Sequence, residues 1–243
     1  MNLNKVTISG ADNAISHGDM LDLQNRYPFI EWGVLVSKKR MGEPRYPTLQ
    51  WIHDLPPELN ISLHLCGEVV RDFVNNPTLE ALIETRGIFW QRTQLNFSFK
   101  DSIDFTGRLT KIAMIAEASP GRAIVLAYNK GNKTTLDMFI ARRYIVPANI
   151  HFLYDSSGGR GTEIKTFHKP LCNYTGYAGG INPDNVGDIL ETLSEMDDDA
   201  DIWIDMESGV RTNNVLDLAK VESILKTCVP FIENRITPNT NAQ

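Results

Sequence analysis

The chain has 243 residues, 42% hydrophobic and 22% charged, the proportions of one ordinary globular domain rather than of a disordered segment. Its net charge of −6 and pI near 5.4 argue against nucleic acid or an acidic membrane surface as a partner. No apolar run reaches the ~18 residues of a membrane span, and the first strand begins so close to Met1 that no leader is expected.

The predicted elements alternate short β-branched or apolar runs with helical patterns, the mark of βαβ units and a parallel sheet. The first predicted strand runs from Lys5 to Ile8 and ends at Ser9-Gly10, with a helix expected from Asp12. The second, from Gly33 to Val36, enters a basic loop from Ser37 to Arg45 and a short helix around Thr48 to His53. The third, from Ile61 to Cys66, is followed by Glu68 to Val74 and by a helix opened by Asn76-Pro77 and closed by Gly87. Thr93 to Phe97 is the fourth strand, Phe105 to Ala118 its helix, and Pro120-Gly121 turns the chain into the fifth strand, Ala123 to Tyr128. Thr134 to Arg143 is amphipathic, with Leu136, Phe139 and Ile140 on one face. The sixth strand, Ile150 to Tyr154, ends in Asp155. The seventh ends at Ala178-Gly179-Gly180, before an Asn182 N-cap and a Pro183 at the first helical position. The eighth, Ile202 to Met206, is followed by Ser208-Gly209, and a last helix spans Leu218 to Val229. Eight such units without a break predict an α/β fold, a single-domain (β/α)8 barrel over residues 1–230, with a polar tail over 231–243.

Glycines let the backbone approach a ligand closely, and a helix N-terminus carries about half a positive charge. Two glycine turns side by side, Gly179-Gly180 and Ser208-Gly209, therefore predict an anion site, and the loops after strands 7 and 8 of a barrel commonly hold a substrate phosphate. A phosphorylated small molecule is the expected partner. Each glycine could equally be strand punctuation. Chemistry is expected at the C-terminal strand ends, where Ser9, Lys38, His64, Cys66, Asn96, Asp155, Asp205 and Glu207 lie. Asp155 stands out, because a carboxyl at a barrel mouth can be raised by burial and act as a general acid. Cys66, Cys172 and Cys228 form no CxxC, so free thiols and a cytoplasmic setting are expected. His17, His53, His151 and His168 fall at unrelated barrel positions, and no metal or cofactor is expected. The oligomeric state is left between monomer and homodimer. Lys130, the nearest candidate for a Schiff-base aldolase, falls in a turn rather than on a strand.

The chain resembles the phosphoribosylanthranilate isomerase family along nearly its whole length. The resemblance runs through Lys5-Val6-Thr7-Ile8-Ser9-Gly10, Ser37-Lys38 with Pro44-Arg45-Tyr46, Gln94-Leu95-Asn96 and Leu153-Tyr154-Asp155, and most specifically through Ala178-Gly179-Gly180-Ile181-Asn182-Pro183 and Ile204-Asp205-Met206-Glu207-Ser208-Gly209-Val210. It implies an Amadori rearrangement of an N-phosphoribosyl substrate, with Asp155 as the acid on the ribose ring oxygen. It further implies Arg45 toward the anthranilate carboxylate and the two glycine turns as the phosphate site; Lys38, Asn96 and Asp205, at the strand ends, are the expected further substrate contacts. The family pattern ends strand 1 with a cysteine as general base, where this chain has Ser9. A hydroxyl is no base without a neighbouring one. Glu207, where the family has a small residue, or Cys66 is the candidate replacement, beside the plainer readings of a helix-cap carboxylate and a buried small hydrophobe. Another phosphosugar reaction, or phosphosugar or nucleotide binding without turnover, stays open.

Overall fold

A computed structural model describes residues 1–75, 90–96, 105–141, 146–155, 167–171, 174–196 and 199–233. The expected helix between Asn76 and Gly87, the glycine-rich loop from Ser156 to Gly161, Cys172 and the tail from residue 234 lie outside the described residues.

Eight parallel strands close into a barrel in sequence order, β8 pairing with β1. They are β1 (Asn2–Ser9), β2 (Ile30–Val36), β3 (Ile61–Cys66), β4 (Arg92–Asn96), β5 (Ala123–Tyr128), β6 (Ile150–Asp155), β7 (Tyr174–Ala178) and β8 (Asp201–Met206). The described helices are α1 (His17–Arg26), α2 (Leu49–His53), α3 (Glu68–Asn75), α4 (Phe105–Ala118), α5 (Lys133–Ile140), α6 (Val186–Met196) and α7 (Leu218–Glu233). Strand alternation sends Val6, Ile8, Ile30, Trp32, Ile202 and Ile204 outward under the helices, where they form the main core. The intervening residues fill the barrel axis.

Several boundaries differ from expectation, β1 and β2 among them, which begin earlier, at Asn2 and Ile30. α1 begins at His17 because Ser16 is the N-cap, accepting from Asp19 N–H at 3.1 Å. Asp12, the expected start, accepts instead from Arg211 Nη2 and from Arg45 N–H, both at 2.6 Å. After β7, Asn182 Oδ1 does accept from Asp184 N–H at 2.8 Å, but regular helix starts only at Val186. α7 runs through Pro230 to Glu233, beyond the expected Val229. No described helix is long and apolar enough to cross a membrane.

The axis is polar. Arg92 Nε donates to both Glu31 carboxylate oxygens at 3.0 Å, its Nη2 also bonds Glu31, and Thr7 Oγ1 donates to the same carboxylate at 3.0 Å. Burial alone would push Glu31 up, but Arg92 and Lys5 outweigh it and hold its carboxyl below the ordinary value. The Arg92 guanidinium lies over the Trp203 ring, 4.4 Å from its centroid.

Candidate active site

The site is built on the C-terminal ends of β1, β8, β7 and β6. In register, Asp155 pairs with Ala178, Ala178 with Asp205, and Asp205 with Thr7, so the two carboxylates share one register line with one alanine between them. Two strand spacings put their backbones about 10 Å apart, and alternation with Leu153 and Trp203, which pack together inside the barrel, turns both side chains to the axis. Ala178 and Asp155 are partly exposed, so the barrel opens on that side.

Ser9, 3% exposed, ends β1 beside this row. Its hydroxyl donates to Asp205 Oδ1 at 2.6 Å and lies 3.5 Å from His64 Nδ1. The approach depends on Gly33, where a Cβ would stand 2.6 Å from Ser9 Oγ and 3.0 Å from His64 Cε1. Burial pushes Asp205 from the ordinary 3.8 up to about 7; the Ser9 hydrogen bond and Arg92 oppose that shift, while Glu207 and Glu31 add to it. Burial drives His64 down to about 3, so its ring is neutral at working pH.

The turns expected to bind phosphate lie directly above this row. Gly179 and Gly180 have φ of 128° and 64°, in the region that favours glycine. The two turns touch: a Cβ on Gly209 would come within 2.0 Å of the Ile181 carbonyl oxygen. Among the described residues nothing takes a hydrogen bond from the N–H groups of Gly180, Ser208 or Gly209, which leaves donors free at the end of β7 and at the start of the 3-10 turn Ser208–Val210.

Arg45 reaches the same rim. Its Nη1 donates to Glu207 Oε1 at 2.6 Å and to Ser208 Oγ at 3.3 Å, and its Nε to Asn214 Oδ1 at 3.1 Å. Lys38 is not brought in, since its ammonium pairs with Asp72 of α3. Lys39 and Arg40 are likewise paired, with Glu68 at 2.9 Å and Glu43 at 2.8 Å. Asn96 sits at the end of β4, donating to Cys66 Sγ at 3.7 Å and accepting from Gln94 Nε2 at 3.0 Å. Burial pushes the Cys66 thiol up, which disfavours a thiolate there. A cavity of about 420 Å³ beside α3 and α4 is lined at the strand ends by Ser37, Gly67 and Asn96, and neither Ser9 nor Asp205 lines it. No three His, Cys, Asp or Glu side chains converge as metal ligands among the described residues.

Sequence reading missed the Ser9–Asp205 bond and the Arg45–Glu207 pair. Barrel closure was the signal for the first, because it makes the last strand a neighbour of the first.

A closed parallel barrel with carboxylates and glycine turns at its C-terminal mouth defines the class, the single-domain (β/α)8 barrel with its site at the strand ends. The family model of N-(5'phosphoribosyl)anthranilate (PRA) isomerase matches residues 126–227, from β5 into α7. That match covers 102 of the 243 residues, and over that stretch the chain is similar to the phosphoribosylanthranilate isomerase family. The fold is also that of N-(5'-phosphoribosyl)anthranilate isomerase from Pyrococcus furiosus, at TM-score 0.56 and 14% identity over 93% of this chain and 98% of that one. No curated protein matches the chain in sequence.

Proposed function

We propose that the chain is an isomerase of phosphorylated sugars, carrying out an Amadori-type aldose–ketose isomerisation of an N-phosphoribosyl substrate in the manner of phosphoribosylanthranilate isomerase. The observation that carries the reading is the row Asp155–Ala178–Asp205 beneath the two glycine turns. A phosphate on the free amides of Gly180, Ser208 and Gly209 would anchor one end of the sugar. Asp155 would then protonate the ring oxygen as the ring opens, and a group at the β1–β8 side would remove the C2 proton. Acid and base on opposite sides of a ribose fit a separation of about 10 Å between backbones.

The test is loss of anthranilate-type fluorescence when purified protein meets phosphoribosylanthranilate generated in situ. Turnover is expected, and Asp155→Asn should lower kcat by ~10²–10⁴-fold. Absence of turnover by the unmodified chain would reject the reading.

The Arg45–Glu207 pair favours a second reading. An arginine already held by a carboxylate at 2.6 Å offers less to an incoming one, which fits an N-phosphoribosyl substrate whose base has no acid group. Better turnover of such a substrate than of phosphoribosylanthranilate would select it.

A further inference from the structure

The proposed isomerisation needs a group that accepts the C2 proton, and Ser9 alone cannot be that group. Three carboxylate or thiol side chains stand near it. Glu207 is held by Arg45 Nη1 at 2.6 Å, so its charge is already engaged. Cys66 lies on β3, its Sγ directed at the His64 carbonyl oxygen at 3.6 Å, and burial raises the thiol. Asp205 differs from both. Its Oδ1 accepts the Ser9 hydroxyl at 2.6 Å, and its Oδ2 takes no hydrogen bond among the described residues. It shares a register line with Asp155 across the partly exposed Ala178.

Resting on the isomerase reading, we propose that the Asp205 carboxylate is the general base of this chain, held in place by the Ser9 hydroxyl and using Oδ2 to take the C2 proton of the ring-opened substrate. In that step the C2–H bond breaks and its electron pair becomes the C1=C2 bond of the enolamine. The C1=N π pair moves onto the nitrogen of the protonated imine, which becomes neutral, and the proton passes to Asp205. Ser9 positions the base, because its donated hydrogen bond fixes Oδ1 and aims Oδ2 at the mouth. His64, neutral and 3.5 Å from Ser9 Oγ, and Gly33, which leaves room for both, hold Ser9 in turn. Among the described residues, the charged groups facing the site are Arg92 and Glu31 from the axis, Glu207 from the rim with Arg45 across it, and Asp155 in register with it on β6. Arg92 is committed to Glu31, so Asp205 is buried with a neutral partner, the condition under which a carboxylate becomes a usable base near neutral pH.

The experiment compares the full chain with Asp205→Asn, Ser9→Cys and the double variant Ser9→Cys/Asp205→Asn, measuring kcat and KM on phosphoribosylanthranilate from pH 5.5 to 9. For the unmodified chain kcat/KM should rise with pH through about 7, the value of Asp205. Asp205→Asn should lose ~10²–10⁴-fold in kcat with KM changed little. In the double variant the thiol, with an ordinary value near ~8.5, takes over, so turnover should return with its pH limb moved upward. That return is something a merely structural aspartate would not produce. Asp205→Asn within threefold of the unmodified chain overturns the inference and leaves the isomerase reading standing. A double variant that stays inactive while retaining the thermal transition of the parent also overturns it, since the aspartate would then serve only to position. An unmodified chain with no turnover overturns both together.

Discussion

Replacing Asp205 by Asn should stabilise the protein at alkaline pH while disabling it. The folded chain binds the Asp205 proton more tightly than the unfolded chain does, because burial moves the group from 3.8 to about 7. The unfolding free energy therefore falls as pH rises from about 4 to about 7, and is flat in this term above that. Below 3.8 the carboxyl is protonated in both states and contributes no penalty. At ~1.4 kcal/mol for each pH unit between the two values, the penalty approaches about 4 kcal/mol above pH 7, of which about 2–3 kcal/mol develops between pH 5 and pH 8. Asparagine keeps the shape and can still accept from Ser9, but it gives up ~1–2 kcal/mol of charge-assisted hydrogen bonding. A net gain of about 2 kcal/mol is expected at pH 8, shrinking toward zero or reversing at pH 5. Urea unfolding followed by tryptophan fluorescence at pH 5, 6.5 and 8 measures it, with the slope in denaturant held unchanged as the control. A difference between variant and parent that does not move with pH would refute the raised carboxyl and the burial argument with it.

Gly33→Ala should push Ser9 off Asp205, because the new methyl would stand 2.6 Å from Ser9 Oγ and 3.0 Å from the Ser9 backbone. A loss of ~1–3 kcal/mol in stability with a larger proportional loss of kcat is expected, read from a melt and a rate on the same sample. Arg92→Met leaves Glu31 buried without its main partner and should cost ~3–5 kcal/mol in urea unfolding, most of it returning when Glu31→Gln is added. Glu207→Gln releases Arg45, so KM for phosphoribosylanthranilate should fall several-fold with kcat little altered; an unchanged KM would make the pair a latch between the β2 loop and β8 and nothing more.

The barrel was legible because parallel strands buried on both faces read as apolar runs, and runs such as Ile202-Trp203-Ile204 and Ala123-Ile124-Val125-Leu126 are unmistakable. The glycine turns were legible for a similar reason, since the φ of 128° at Gly179 favours glycine and a Cβ on Gly209 would collide with the Ile181 carbonyl. The pairing of side chains was not. Ser9 and Asp205 are 196 residues apart, and Arg45 and Glu207 are 162 apart. Taken alone, Ser9 is a missing thiol and Asp205 a substrate contact; only closure of β8 onto β1 makes them one unit. Local rules also misplaced the start of α1. Asp12 is a good N-cap by type, yet the buried Arg211 guanidinium claims its carboxylate, and Ser16 caps the helix instead.

The contrast between Glu31 and Asp205 shows how one barrel axis holds two buried carboxylates in opposite states. Both are nearly sealed from water, at 0% and 5% exposed. Glu31 receives Arg92 through Nε at 3.0 Å to each oxygen, with Thr7 adding a third donor, so it stays ionised and inert. Arg92 is fixed in that direction, and its plane covers Trp203, the residue two positions before Asp205. Were that guanidinium turned upward to Asp205, it would lower the carboxyl and leave a stable anion of little basicity. With Arg92 engaged by Glu31, Asp205 has only the Ser9 hydroxyl as a hydrogen-bond partner among the described residues, and burial then sets its character. On this argument the Arg92–Glu31 ion pair helps to keep the Asp205 carboxylate basic, and Ser9, in place of a thiol, is the neutral donor that such a base can tolerate.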